Sequence, residues 1–126
     1  ESMEWLAGYY IDFCEAASEE GVQGYARLDA ERAHCLKLIE SCLDGGLWEE
    51  VQYLVKAIDI YLERQGWWTE KLTAVEMNLT AARQAGDREN EAVCLNNLGY
   101  TCQRHGELDQ ALIWYEQCLP VWRDRR

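Results

Sequence analysis

Glycines divide this sequence into segments of nearly equal length. Gly46, Gly66, Gly86 and Gly106 lie twenty residues apart. Glycine is favoured just past the end of a helix because it adopts the left-handed backbone conformation at little cost. In the segments between these glycines the apolar residues recur at helical spacing, and no segment alternates as a strand does. The glycines therefore predict a succession of short helices of similar length.

The pattern predicts an all-α fold of about six helices. An earlier break is expected at Gly21 and Gly24, and Asp87 follows Gly86 as an N-cap, since its carboxylate can accept a hydrogen bond from a free amide of the next turn. Pro120 is expected to kink the last helix or to end it near Leu119. The predicted helices lie near 2–20, 25–44, 47–65, 67–85, 88–105 and 107–123. Their short connections force neighbouring helices antiparallel, so the helices form hairpins.

A repeat appears when the sequence is compared with itself at a shift of forty residues. Nine positions then align without a gap, and most of them are apolar. The first set is Val55, Ile58, Leu62, Gly66, Trp68, Leu72, Val75, Glu76 and Leu79, and the second set, in the same order, is Leu95, Leu98, Cys102, Gly106, Leu108, Leu112, Tyr115, Glu116 and Leu119. Two helices per unit and a fixed period indicate stacked helical hairpins, in which each unit buries the apolar face that its neighbour exposes. We therefore expect Leu108, Leu112 and Leu119 to lie on the inward face of the last helix.

The composition restricts the classes of partner. The chain has 126 residues, of which 48% are hydrophobic, so it can fill the core of one domain. It carries 23 acidic against 12 basic side chains, a net charge of −11. This charge argues against a nucleic-acid partner, because binding phosphates needs a surface of Lys and Arg. No run of 18 apolar residues occurs, so we expect no membrane-spanning segment and no membrane partner.

Acidic residues are concentrated at the start of the chain. Residues 1–20 contain no Lys or Arg, and their acidic residues are Glu1, Glu4, Asp12, Glu15, Glu19 and Glu20. One interpretation is a helix with a solvated acidic face. The other is a helix that docks to a basic partner or to an upstream domain. Trp5, Tyr9, Tyr10 and Phe13 share this helix, and their spacing places most of them among the core candidates.

The cysteines predict a reducing compartment. The six are Cys14, Cys35, Cys42, Cys94, Cys102 and Cys118, and none forms the Cys-x-x-Cys pair of zinc ribbons and thioredoxin-like sites. A free cysteine behaves as a small buried hydrophobic residue. The first residues, from Glu1 to Glu4, lack the basic and apolar regions of a signal peptide. We therefore expect a cytoplasmic protein with buried free thiols and no metal site.

One stretch carries a family resemblance. The sequence Leu95-Asn96-Asn97-Leu98-Gly99-Tyr100 resembles the W-x-x-L-G start of the first helix of a tetratricopeptide repeat. The turn and second helix of that repeat are matched by Gly106, Leu108, Ala111, Tyr115 and Leu119. Two residues depart from the pattern: Cys102 stands where an aromatic is usual, and Pro120 comes three residues early. The resemblance implies helical hairpins stacked as a right-handed solenoid.

The resemblance also implies how the chain is divided. It places an N-terminal helical hairpin at 1–46, a degenerate repeat at 47–86 and a well-formed repeat at 87–126. In the degenerate repeat, Asp59 and Lys71 replace the small Gly and Ala of the pattern. The segments from Tyr9 to Glu15 and from Glu31 to Leu36, followed by the degenerate repeat, are similar to the helical region after the winged helix of STAND signalling NTPases. In that class the repeats sense a ligand or a partner.

The resemblance implies which residues line a binding groove, because in this family the first helix of each pair faces the concave side. In the well-formed repeat these are Val93, Asn96, Asn97, Tyr100, Gln103 and Arg104, and in the degenerate one Tyr53, Lys56, Ala57, Ile60, Glu63 and Arg64. An asparagine amide both donates and accepts, so it can bracket the backbone of an extended peptide. The alternative is that Asn96 and Asn97 only cap contacts between helices or face water.

Two adjacent aromatic pairs predict exposed aromatic side chains. In the pairs Trp67-Trp68 and Trp114-Tyr115 both members cannot point the same way on a helix, and Trp68 and Tyr115 take the inward positions of the repeat. Trp67 and Trp114 are therefore expected to be the exposed members. Trp122 lies at the end that a further repeat would cover, and this open end predicts self-association.

Catalysis would need a convergent acid, base or nucleophile, and the sequence contains no such constellation. His34 and His105 lack any catalytic or metal-binding motif around them, and we expect His34 on a helix surface. We predict no catalytic residue and no cofactor. The leading hypothesis is a non-catalytic interaction module whose groove binds a peptide or a partner protein. The alternatives are a sensor segment of a larger signalling NTPase and a structural oligomerisation unit.

Overall fold

The computed structural model describes residues 2–125, and these form six α-helices and no strand. The helices are α1 (Ser2–Glu19), α2 (Val22–Asp44), α3 (Trp48–Arg64), α4 (Trp68–Ala85), α5 (Arg88–Arg104) and α6 (Leu108–Arg125). Consecutive helices pack against each other, and α1 also packs on α3. The predicted all-α fold of stacked helical hairpins is confirmed. Glu1 of the acidic first segment lies outside the described residues, and the repeat boundaries at 46 and 86 stay predictions.

The glycine stops have the predicted local geometry. Gly86 has a φ of 70° and ends α4, and the next amide, that of Asp87, donates to the carbonyl oxygen of Ala82 over 2.9 Å. The carboxylate of Asp87 then accepts a hydrogen bond of 3.0 Å from the amide of Asn90, so it caps α5 as predicted. The glycines at the ends of α2, α3 and α5 also have positive φ. These boundaries depend on neighbouring residues alone.

One predicted break is wrong, and one of the two alternatives for Pro120 is excluded. Gly24 does not break the chain, because α2 begins at Val22 and includes it. The last helix does not end near Leu119, because α6 continues through Pro120 to Arg125. Proline removes one amide donor from the helix, whereas Cys118 and Val121 on either side of it are buried against the core. That packing explains why the helix continues.

The core runs through all three hairpins. Its most deeply buried large side chains include Ile39, Leu54, Ile58, Leu62, Leu95 and Leu98. All six cysteines are free and buried, as predicted. Cys14 of α1 and Cys35 of α2 lie side by side, with 3.5 Å between their sulfur atoms. His34 is exposed, also as predicted.

The two ends of the stack expose apolar side chains that the sequence placed inside. Leu108, Leu112 and Leu119 of α6 are exposed, because α6 packs on α5 alone among residues 2–125. Trp5 and Tyr9 of α1 are 70% and 54% exposed, whereas the other two aromatics of that helix, Tyr10 and Phe13, pack against the core. Trp122 is exposed at the C-terminal end, as predicted.

The prediction for the adjacent aromatic pairs is wrong. Trp67 and Trp114, expected to be exposed, are half-buried and pack against the core. The ring of Trp67 is covered by the guanidinium of Arg32, which lies 3.5 Å from the ring centroid. Trp68 and Tyr115, expected to face inward, are half-buried too. Trp68 lies against His105 and Tyr115 lies against Gly99, so neither member of either pair is fully exposed.

Candidate functional site

A cleft separates the first helices of the second and third hairpins. Among residues 2–125, no Cα atom of α3 lies within 8 Å of a Cα atom of α5, whereas both helices pack on α4. The helix α4 therefore forms the floor, and α3 and α5 form the walls. The cleft encloses a cavity of about 420 Å³. Cavities of this size are typical of ligand sites.

The walls of the cleft combine apolar and polar side chains. The lining residues are Gln52, Val55, Lys56, Asp59 and Ile60 of α3, Val75 and Asn78 of α4, and Asp87, Glu89, Asn90, Val93, Cys94 and Asn97 at and beyond the start of α5. Lys56 and Ile60 are exposed at the mouth, whereas Val55 and Val75 are buried at the base. A peptide bound in the cleft would contact apolar side chains at the base and polar side chains nearer the mouth.

Two asparagines form the polar part of the floor. The side-chain amide nitrogen of Asn90 donates a hydrogen bond of 3.0 Å to the side-chain oxygen of Asn78, and both residues are buried. The thiol of Cys94 lies 3.9 Å from the side-chain oxygen of Asn90. Burial raises the pKa of this thiol to about 12, so it is neutral at physiological pH. The base of the cleft is thus polar but uncharged at these three residues.

An ion-pair network links the three helices at one end of the cleft. The ammonium of Lys71 on α4 lies 2.6 Å from a carboxylate oxygen of Asp59 and 3.4 Å from one of Glu63, both on α3. The other carboxylate oxygen of Glu63 lies 3.4 Å from the guanidinium of Arg104 on α5. Asp59 and Lys71 are the two departures from the small residues of the repeat. They join α3 to α4 through charge instead of through close packing.

The structure brings together four of the predicted groove residues. Lys56, Ile60, Val93 and Asn97 line the cavity. The side-chain oxygen of Asn97 accepts a hydrogen bond of 3.3 Å from the hydroxyl of Thr101, one turn later on the same helix. This bond orients the amide but does not join it to another helix.

The other predicted groove residues lie outside the cavity lining. Tyr53, Asn96 and Tyr100 are exposed on α3 and α5. The side-chain oxygen of Gln103 accepts a hydrogen bond of 3.1 Å from the hydroxyl of Tyr115 on α6. Arg104 is engaged in the ion-pair network described above.

One groove assignment is wrong, and two polar groups of the floor were missed. Ala57 is buried, because α1 packs over it and the hydroxyl of Ser18 donates a hydrogen bond of 3.0 Å to its carbonyl oxygen. Asn78 and Asn90 were not identified from the sequence. The sequence could have indicated them, because each is a polar residue at a position where helical spacing predicts an apolar, inward-facing side chain. Such a residue is unusual, since a buried amide needs a hydrogen-bond partner.

A comparison with known families finds a match that includes the C-terminal hairpin, α5 and α6. A family model for the tetratricopeptide repeat matches residues 59–124, just over half of the chain. The chain belongs to the tetratricopeptide repeat family. No curated protein and no solved structure matches it. Tetratricopeptide repeats generally mediate protein–protein interactions and are typically non-catalytic.

Metal binding and membrane insertion have no evident basis in the described helices. Between residues 2 and 125, no group of three or more His, Cys, Asp or Glu side chains is arranged to hold a metal ion. None of the six helices described is both long enough and apolar enough to cross a bilayer.

Proposed function

We propose that this tetratricopeptide protein is a non-catalytic interaction module that binds a peptide segment of a partner protein in the cleft between α3 and α5. The observation that carries the proposal is the cleft itself, whose walls α3 and α5 stand apart on α4. A preformed concave site lowers the entropy cost of binding, because little of the protein must be ordered when the ligand enters. The occupant is an extended or helical peptide.

Each class of lining residue has a role in this binding mode. Ile60 and Val93 supply apolar contacts from opposite walls. The amide of Asn97 can donate to a peptide carbonyl oxygen and accept from a peptide amide. Lys56 supplies a positive charge at the mouth of the cleft, where it can pair with an acidic side chain of the ligand. The apolar contacts give affinity, and the polar groups set the register of the peptide.

The remaining predicted residues extend the binding surface beyond the cavity. Tyr53 and Tyr100 are exposed aromatic side chains on the two walls, and exposed tyrosines are enriched among the residues that dominate interface energies. Asn96, Gln103 and Arg104 continue this surface along α5. A peptide longer than the cavity would contact these residues at its ends.

A displayed library of random peptides tests the proposal, because selection from it requires no identified partner. Peptides enriched on the wild-type protein are synthesised, and their affinities are measured by fluorescence anisotropy. We expect Asn97→Ala and Tyr100→Ala each to weaken binding by about tenfold, the loss of roughly 1.4 kcal/mol, with no change in melting temperature. Gln84→Ala is the control, because Gln84 is exposed on α4 and lies outside both the cavity lining and the surface that continues it along α5. A lower melting temperature for both variants would mean that these residues stabilise the fold and do not form a binding site.

The cavity volume also supports a second candidate, the ligand sensor of a larger STAND-type signalling NTPase. About 420 Å³ is enough for a small molecule as well as for a few peptide side chains. The gene sequence upstream of residue 1 tests this candidate. A phosphate-binding loop followed by a winged helix supports it, and their absence from the full-length protein contradicts it.

We also propose that the protein is cytoplasmic and that it self-associates through its C-terminal end. Six free buried cysteines suit a reducing compartment. The exposed apolar side chains of α6 provide a surface for self-association, as would be needed by a structural oligomerisation unit. Fractionation of cells that express the tagged protein tests its location.

A further inference from the structure

One side of α6 carries an apolar stripe, which we define as the exposed Leu108, Leu112, Leu119 and Trp122 together with the half-buried Tyr115, whose ring also contacts Gly99 of α5. Leu108, Leu112 and Leu119 are 60%, 59% and 56% exposed, and Trp122 is 51% exposed. The intervals between consecutive members are four, three, four and three residues, so all five lie on one face of the helix. In the described chain only α5 packs on α6.

The residue intervals of the stripe are nearly the same whether they are counted from Leu108 or from Trp122. When a second copy of α6 lies antiparallel on the first, with a two-fold axis near Tyr115, Leu112 of each copy faces Leu119 of the other. Leu108 likewise faces Trp122. A surface that matches itself after a two-fold rotation is what a closed dimer requires. The stripe has this property because its intervals are close to symmetric about its centre.

A row of charged residues runs along one edge of the stripe. Asp109, Glu116 and Arg123 follow each other at intervals of seven residues, and all three are exposed. In the antiparallel pairing, Asp109 of each copy faces Arg123 of the other, which makes two attractive pairs. Glu116 faces Glu116 of the other copy at the axis, which makes one repulsive pair. The charges therefore favour this pairing on balance, and they mark Glu116 as its weak point.

We propose that a second copy of this chain docks on the α6 stripe and forms a closed, antiparallel, two-fold symmetric dimer centred at Tyr115 and Glu116. The inference rests on the proposed self-association and is independent of peptide binding in the cleft. It adds to that proposal the partner helix, its direction and its register.

The exposed aromatic face of α1 is a less suitable occupant. Trp5 and Tyr9 are exposed there, and their contact with α6 of another copy would be head-to-tail, which generates open chains instead of closed dimers. The first helix contains acidic residues and no Lys or Arg. It would therefore place like charges opposite Asp109 and Glu116. Charge complementarity favours α6 against α6.

Sedimentation of the purified chain over a range of concentrations tests the dimer. We expect a monomer–dimer equilibrium without larger species, and we expect Leu112→Asp to raise the dissociation constant at least about tenfold. Ile113→Asp is the matched control, because Ile113 is an exposed apolar residue of α6 outside the stripe, and it should leave the dissociation constant unchanged. Glu116→Gln removes the repulsion at the axis and should lower the dissociation constant about twofold.

Cysteine cross-linking under mild oxidation tests the direction and register. Glu116→Cys alone should form a covalent dimer. Asp109→Cys and Arg123→Cys should each fail to do so alone and should link when mixed. A covalent dimer from Asp109→Cys alone would overturn the antiparallel geometry but leave self-association standing. A monomer at all concentrations would overturn both, and loss of the dimer in Trp5→Ser but not in Leu112→Asp would assign the contact to α1. Peptide affinity, measured on the same samples, reports separately on the cleft.

Discussion

At the scale of single residues, two glycines of the first hairpin differ in their surroundings. A Cβ atom on Gly24 would lie 1.8 Å from the carbonyl oxygen of Ala17, so only glycine allows the backbones of α1 and α2 to come this close. A Cβ atom on Gly8, within α1, would meet no atom within 4 Å. The sequence predicts a helix break at Gly24, whereas the structure shows a contact between helices there. Spacing in the sequence does not separate these two uses of glycine.

The two glycines should therefore respond to alanine in opposite directions. We expect Gly24→Ala to lower the free energy of unfolding by about 3 kcal/mol or more, because the two backbones must separate. We expect Gly8→Ala to raise it by about 0.5–1 kcal/mol, because alanine restricts the unfolded chain and favours the helix. Urea denaturation followed by circular dichroism measures both. Equal stabilities for the two variants would mean that the α1–α2 crossing adapts freely.

At the scale of helix pairs, the two helices of the α3–α4 hairpin and those of the α5–α6 hairpin contact each other differently at equivalent positions of the repeat. In the α5–α6 hairpin, Gly99 lets the ring of Tyr115 come so close that a Cβ atom would lie 2.5 Å from it. In the α3–α4 hairpin, the equivalent position is Asp59, which pairs with Lys71. The Lys71 side chain is only 1% exposed, so its charge has lost its water. The carboxylates of Asp59 and Glu63 replace that hydration.

The buried pair should therefore matter far more than a surface pair. We expect Lys71→Ala to lower the free energy of unfolding by about 3 kcal/mol, because it leaves two carboxylates without their cation and opens a cavity. The double variant Asp59→Ala with Lys71→Ala should lose less than the sum of the single variants, with a coupling of about 1 kcal/mol or more. Lys37→Ala is the control, since its pair with Glu40 is exposed, and it should change stability by less than about 0.5 kcal/mol. Additive losses would argue against a direct interaction between Asp59 and Lys71.

At the scale of the whole molecule, the net charge of −11 acts against compaction. The described ion pairs engage Arg27, Arg32, Lys37, Lys71, Arg83, Arg88 and Arg104. The excess carboxylates then repel each other across the folded surface, and α1 holds several of them without a basic residue of its own. This repulsion is long-ranged, so dissolved salt screens it.

Salt should therefore stabilise the fold. We expect the melting temperature to rise by a few degrees, about 2–5 °C, when NaCl is increased from about 10 to about 150 mM. The variant Asp12→Asn with Glu15→Gln removes two exposed charges of α1 and should show a smaller rise. Differential scanning calorimetry measures both. A melting temperature that falls with salt would mean that attractive ion pairs outweigh the net repulsion.

The features that follow from the sequence alone depend on neighbours along the chain. The helical period, the stops at Gly46, Gly66, Gly86 and Gly106 and the Asp87 cap were predicted correctly, because backbone conformation and capping involve residues within one turn. The family resemblance was also recognisable from the run between Leu95 and Tyr100, because the order of its apolar and small residues is a property of one helix. These are short-range properties.

Tertiary packing, in contrast, determines which apolar faces are covered and where the cleft lies. Leu108 and Trp5 have the same helical spacing as core residues, and they are exposed because no further helix of the described chain packs at the ends of the stack. Lys56 and Asn97 lie on different helices, and they line one cavity because α3 and α5 stand apart on α4. Burial and cleft geometry arise from contacts between residues distant in the chain. The spacing within one helix carries no information about those contacts.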